Sequence, residues 1–159
     1  MVKIIESIVW PIFKVAILLI VVKLFLVVVV SGSMEHSSTD DYTSWWEEHS
    51  EFYKNKNISL EEFKQFDFQK GLNTGDLIIL EMNKRIEVGD VIVFKSGDKH
   101  IIHRVVSISP IETRGDANNG QLDADFNIDK NYIKGKAWIR IPYLGYVKIW
   151  ISELISTVF

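Results

Sequence analysis

The apolar run from Ile4 to Val30 constrains this chain more than any other feature. Val15 to Val30 carries one charge, Lys23, and with Ile8 to Phe13 upstream the run reaches the roughly 20 residues a helix needs to cross about 30 Å of hydrocarbon. The pattern predicts one transmembrane helix. A cleavable signal peptide is the rival reading, since Val30-Ser31-Gly32-Ser33 has the small residues at which such a segment ends, but its apolar part usually spans only about 7 to 15 residues. A buried helix of a soluble domain is the third. Lys3, Lys14 and Lys23 against Glu6 give the first thirty residues a charge of +2, and the remainder carries −5. Between Glu35 and Glu51 stand six acidic residues and no Lys or Arg, so the positive-inside bias puts the N-terminus in the cytoplasm and the body outside. Lys23 costs about 3 kcal/mol in such a span unless it snorkels to the interface or meets a partner.

The remaining length allows one further domain, because the whole chain has 159 residues. With 47% hydrophobic and 25% charged residues, wholesale disorder and fibrous repeats are excluded. Cysteine is absent, which removes disulfides, thiolate nucleophiles and Cys-based zinc sites, so covalent chemistry falls to oxygen. A net charge of −3 without a Lys/Arg cluster argues against nucleic acid as a partner.

Short apolar runs broken by Gly-Asp and Asn/Lys turns, Leu77 to Glu81, Val91 to Lys95, Ile101 to Ser109 and Ala137 to Ile141, predict strands. Thr74-Gly75-Asp76-Leu77-Ile78-Ile79 and Val88-Gly89-Asp90-Val91-Ile92-Val93 open alike, and successive hairpins are the simplest explanation. Ile141 to Ile149 reads as a last extended stretch. The expected class is mainly β, an antiparallel sheet domain or partly open barrel. Between anchor and sheet, Asp41 to Phe66 is acidic, aromatic and helical in period, with Trp45, His49 and Phe52 on one face and a second helix starting at Ser59, where Glu62 stands three residues on as in a capping box. Either these aromatics pack on the β body, or Trp45 and Trp46 meet a membrane surface. Asn57-Ile58-Ser59 matches a glycosylation acceptor.

For chemistry, the best candidate is Ser31-Gly32-Ser33-Met34, directly after the apolar run, although the same residues also suit a flexible linker. A serine nucleophile needs a base beside it and donors for the oxyanion. Of His36, His49, His100 and His103, the last lies in an apolar strand, and its odd spacing from His100 sends the two to opposite faces. His103 is the preferred base. The segment Gly115-Asp116-Ala117-Asn118-Asn119-Gly120, followed by Asp123 and Asp125, can bring a carboxylate to the imidazole or can be an Asx turn.

In order, the apolar helix, Ser31-Gly32-Ser33-Met34-Glu35, Gly89-Asp90-Val91-Ile92-Val93-Phe94, Ile102-His103-Arg104-Val105 and Arg114-Gly115-Asp116-Ala117-Asn118-Asn119 resemble type I signal peptidase. The likeness is to the branch of archaea and the endoplasmic reticulum, which has His where bacterial enzymes use a catalytic Lys. It covers roughly residues 10 to 36 and 71 to 149. The resemblance implies a β-rich peptidase domain facing the membrane, 31–149, on a 1–30 anchor, with a 35–72 helical insertion and an apolar tail, 150–159. It implies Ser33 as nucleophile, the Ser33 N–H and Ser31 hydroxyl as oxyanion hole, and His103 as base. Asp116 matches the first acidic residue that follows the family's Gly-Asp motif and Asp123 best matches the second, which completes the triad. The extra Ala117 and nearby Asp125 leave the choice among Asp116, Asp123 and Asp125 open. The implied partners are signal-peptide-bearing preproteins with small residues at positions −1 and −3, the bilayer, and the translocation channel; no cofactor or metal is implied. His36 departs from the family's Ser-Met-x-Pro, and the insertion replaces a link of a few residues.

Two rivals remain at this level: a catalytically silent β domain that binds exported chains, and a serine-lysine self-cleaving peptidase of the repressor type. A pH profile of cleavage separates the bases. A histidine base loses activity as pH falls through roughly 6 to 7, a lysine base far higher.

Overall fold

A computed structural model of the chain describes residues 10–14, 25–36, 42–82, 85–147 and 149–150. Six strands form one antiparallel sheet: β1 Leu26–Val28, β2 Leu77–Glu81, β3 Val91–Ser96, β4 Lys99–Ile108, β5 Ile111–Arg114 and β6 Ile133–Ile141. Their order is β1-β2-β6-β3-β4-β5. Between β1 and β2 come the helices α1, Tyr42–Asn55, and α2, Leu60–Phe63.

Strand periodicity explains the layers. Ile78 and Leu80 of β2 turn inward while their neighbours stay half-exposed. In β3, Val91 to Phe94 are all buried, because both faces of the sheet are covered there. Val91 and Val93 join a core with Val29, Met34, Leu72, Ile78, Leu80, Ile102 and Ala137. Ile92 and Phe94 face the other way, with Val105 and Ile111. The insertion contributes a third cluster, Trp45, Trp46, Tyr53, Ile58 and Phe63, closed against Val106 of β4. The aromatics therefore pack on the β body. At the start of α2 the Ser59 hydroxyl accepts from the Glu62 N–H at 3.2 Å, as the capping pattern predicts.

Three expectations need correction. The predicted membrane helix falls on residues 4 to 30; residues 10–14 are helical and 15–24 lie outside the described residues. Its end is not helical, since Leu26 to Val28 pair with Ile79 to Leu77. A continuous Leu-Val run satisfies a buried strand as well as a helix, and the β-branched valines favour the strand once a partner edge is present. Among the described residues no helix is long and apolar enough to cross a membrane. Second, the stretch after Ile141 is not extended: residues 145–147 and 149–150 are helical, and 151–159 lie outside the described residues.

Third, the two Gly-Asp openings do not start successive hairpins, because β6 lies between β2 and β3. They are alike because they do the same work. Asp76 accepts from the Asn73 N–H at 2.7 Å and Asp90 from the Glu87 N–H at 2.9 Å. Gly75 and Asp76 exchange backbone bonds with Val29, as Gly89 and Asp90 do with Val105. Each carboxylate then reaches the shared strand β6: Asp76 to Arg140 at 2.7 Å, Asp90 to Lys136 at 2.6 Å. Those two bases are an even number of residues apart and share a face.

Gly89 has φ +95, and a Cβ there would stand 2.2 Å from Phe66 Cδ1; Gly97, φ +58, would meet nothing within 4 Å. Gly89→Ala is expected to cost about 2 kcal/mol, lowering Tm by roughly 4 to 8 °C, and Gly97→Ala clearly less. Equal melting temperatures for the two variants would contradict this packing.

Candidate active site

Ser33 lies in a 3-10 turn, Gly32–Met34, that leaves β1. The turn is held from two sides. Met34 is fully buried, and its carbonyl accepts from the Leu72 N–H at 2.8 Å. Gly71 permits this approach, since a Cβ there would come within 2.2 Å of that same carbonyl oxygen. From the other side the Ala117 N–H donates to the Ser33 carbonyl at 2.9 Å. The serine is thus fixed by backbone from two distant parts of the chain.

His103 comes from β4, where it stands opposite Ile92 and is 2% exposed. Its Nε2 lies 3.2 Å from Ser33 Oγ, and its Nδ1 lies 2.6 Å from Asp125 Oδ1. A carboxylate only accepts, so Nδ1–H donates to Asp125 and leaves Nε2 to accept from the serine hydroxyl. Asp125 is fully buried at the end of the 3-10 turn Asp123–Asp125. It accepts also from the Thr113 hydroxyl at 2.5 Å and the Leu122 N–H at 2.8 Å. Burial by itself would raise its pKa; the hydrogen bond and charge of His103, with Thr113 and Leu122, hold it below the ordinary carboxylate value. Gly115 sits behind the pair: a Cβ there would be 2.7 Å from the Ser33 carbonyl oxygen and 2.8 Å from His103 Nε2. No larger residue fits without separating serine from histidine. Ser31 Oγ lies 3.3 Å from Ser33 Oγ.

Of the carboxylates that the sequence offers, the structure brings Asp125 to His103 and places the other two elsewhere. Asp123 is exposed at the opening of the same short turn. Asp116 is fully buried, but on Arg104, which faces away from His103 because the two are adjacent in a strand. Arg104 Nε and Nη2 donate to the Asp116 carboxylate at 3.0 and 2.7 Å, and its remaining donors reach the carbonyls of Asp67, Phe68 and Gly89. Tyr53 from α1 donates to Asp116 at 3.0 Å and His36 Nε2 at 3.1 Å. The His36 ring lies parallel to Trp45 at 3.7 Å. Burial would raise the Asp116 pKa, yet Arg104 and the hydrogen bond from His36 hold it well below the carboxylate range.

Sequence reasoning did not find Thr113, Gly115 or Arg104. Arg104 had one signal, a charge inside an apolar strand, which is stable only if paired. His100 is exposed and His49 is buried against Arg114 and the insertion aromatics, so neither meets Ser33. Among the described residues no group of three or more His, Cys, Asp or Glu side chains is placed to hold a metal ion. Against models of protein families, curated proteins and solved structures, the chain has no match.

The Asp116 pair sets an acid limit on stability. Its folded pKa lies below the unfolded value of about 3.9, so its contribution is complete above about pH 5 and drains away as pH falls further. The urea midpoint should therefore drop steeply below pH 5. Arg104→Met, which leaves the carboxylate buried without its cation, should cost about 3 to 5 kcal/mol at pH 7. An equal urea midpoint at pH 4 and pH 7 would show that the pair carries no such weight.

Proposed function

We propose that the protein is a membrane-bound serine endopeptidase that removes N-terminal signal peptides from exported preproteins at the outer face of the membrane. The observation that carries this reading is the unbroken line Ser33 Oγ, His103 Nε2, His103 Nδ1, Asp125 Oδ1, with links of 3.2 and 2.6 Å. Nucleophile, base and orienting carboxylate are in the relation acyl transfer requires.

In the reaction Ser33 Oγ bonds to the scissile carbonyl carbon while its proton passes to His103 Nε2. Asp125 keeps the imidazole in the accepting tautomer and stabilises the imidazolium that forms. The oxyanion is received by the Ser33 N–H and the Ser31 hydroxyl, whose position beside Ser33 Oγ supports that role. The C–N bond then breaks and His103 gives its proton to the leaving amine. Water, deprotonated by the same nitrogen, releases the acyl group from Ser33.

The bilayer as partner is supported by an apolar rim beside the serine. The Gly145 N–H bonds to the Gly75 carbonyl, and a Gly145 Cβ would touch Val28, so the C-terminal turn packs on the end of β1. Val30, Leu144, Val147 and Trp150 are exposed there, Val30 by 73% and Trp150 by 63%. Apolar side chains and an indole ring at one edge suit the interface between headgroups and acyl chains. The apolar run of residues 15–24 leads directly into this edge.

Cleavage of a model preprotein in membranes tests the assignment. Ser33→Ala and His103→Ala should each reduce kcat by about 10⁴-fold or more, and Asp125→Ala by about 10³ to 10⁴. Asp123→Ala should cut at nearly the wild-type rate. Retained cleavage by Ser33→Ala, with the variant folded and inserted, overturns the peptidase reading.

A further inference from the structure

Beside Gly32, the residue before the nucleophile, a cleft of about 690 Å³ opens between the nucleophile turn, α1 and the C-terminal turn. Glu35, Trp45, Glu48, His49, Tyr143 and Tyr146 line it, and no Lys or Arg is among its lining residues. Glu35 Oε1 accepts from the Thr74 N–H at 2.8 Å, while Oε2 takes no partner among the described residues and lies 3.1 Å from where a Gly32 Cβ would stand. Glu48 is exposed and pairs with no cation among the described residues. Two carboxylates thus share a cleft with three aromatic rings and no counter-charge.

His49 supplies an independent sign that a peptide belongs there. It is 93% buried, being 7% exposed, and Arg114 Nη2 lies 3.2 Å from its Nδ1. A guanidinium only donates, so Nδ1 accepts and the ring proton is on Nε2. Burial, then the charge of Arg114, lower the His49 pKa and keep it neutral, against the opposing pull of Glu48. The Nε2–H has no acceptor among the described residues, and the Nδ1 edge is taken by Arg114, which leaves the Nε2 edge to the cleft that His49 lines. A buried donor of this kind calls for a carbonyl oxygen.

We propose that this cleft is a specificity subsite for a lysine or arginine of the preprotein within about three residues of the scissile bond, its cation between Glu35 and Glu48 and the peptide carbonyl beside it on His49. The distance follows from Gly32, one residue from Ser33, and from a residue spacing of about 3.8 Å. The aliphatic stem lies along Trp45, Tyr143 and Tyr146, which also attract the cation through their ring faces. The proposal rests on the peptidase reading and names part of the substrate that reading leaves open.

The test uses the full chain in detergent and one peptide substrate carrying Lys, Ala or Glu in turn at each of three positions on either side of the bond. At one position the kcat/KM ratio of Lys to Glu peptide should be about tenfold, as two partly screened ion pairs give. In Glu35→Gln/Glu48→Gln that ratio should fall to within about twofold, and in Glu48→Lys, whose exposed position spares the fold, it should invert. Because each ratio compares two peptides on one enzyme, a general loss of activity cancels. An unchanged ratio in both variants, or no position that discriminates, overturns the subsite while leaving the peptidase intact. A folded wild type that cuts none of the peptides overturns the peptidase reading and the subsite with it.

Discussion

A carboxylate that water cannot reach needs a cation and a full set of hydrogen bonds around it, and Asp116 imposes that requirement on everything nearby. Arg104 meets it, and in doing so uses its other donors on the backbone of residues 67, 68 and 89. Tyr53 and His36 complete the shell. Five parts of the chain converge on one ion pair: the segment after the serine, α1, the end of the insertion, β4 and the loop after β5. The backbone of that last loop also grips the Ser33 carbonyl. The helical insertion is therefore part of the frame that holds the serine, and its aromatic cluster covers the guanidinium, with the Phe63 ring 4.9 Å from Arg104 Cζ.

Sterics refine what charge has positioned. Gly71 and Gly115 stand where the serine turn passes closest to its two supports, and at each a single methyl would collide with backbone or with the imidazole. The serine is held without using its own side chain, so Oγ keeps both its proton and its lone pairs for His103 and Ser31. Asp125 is treated in the opposite way: three donors saturate it, and its only freedom is to polarise the histidine. One reactive group is left open and its orienting partner is locked, an arrangement that preorganised sites share.

Much of the sheet was legible because period-2 runs such as Leu77 to Glu81 and Val91 to Lys95 are long enough to state their phase. β5 was not, since Ile111-Glu112-Thr113-Arg114 is four residues with two charges, and the start of β6 was hidden by Lys134-Gly135-Lys136. β1 was misread because a fully apolar run has no phase at all. The likeness of the two Gly-Asp openings was visible, yet its cause was not: it lies in Arg140 and Lys136, more than forty residues downstream. Ser33 and His103 could be singled out together, and the structure brings them within hydrogen-bond reach. The third member could not be chosen, because Asp116, Asp123 and Asp125 differ only in what they meet in three dimensions, a buried arginine, solvent, or the imidazole.

The place of β6 in the sheet carries a consequence for how the molecule comes into being. The last strand to be synthesised joins β1–β2, beside the serine turn, to β3–β5, which carry histidine and hold the aspartate loop. Until residues 133–141 have emerged, the ladder has a gap at its middle and the two halves meet only through side chains and loops. Pairings this distant along the chain are slow to form. Assembly of the catalytic line is thereby tied to completion of the polypeptide, and a nascent chain carries its serine for most of its synthesis without a fixed base beside it.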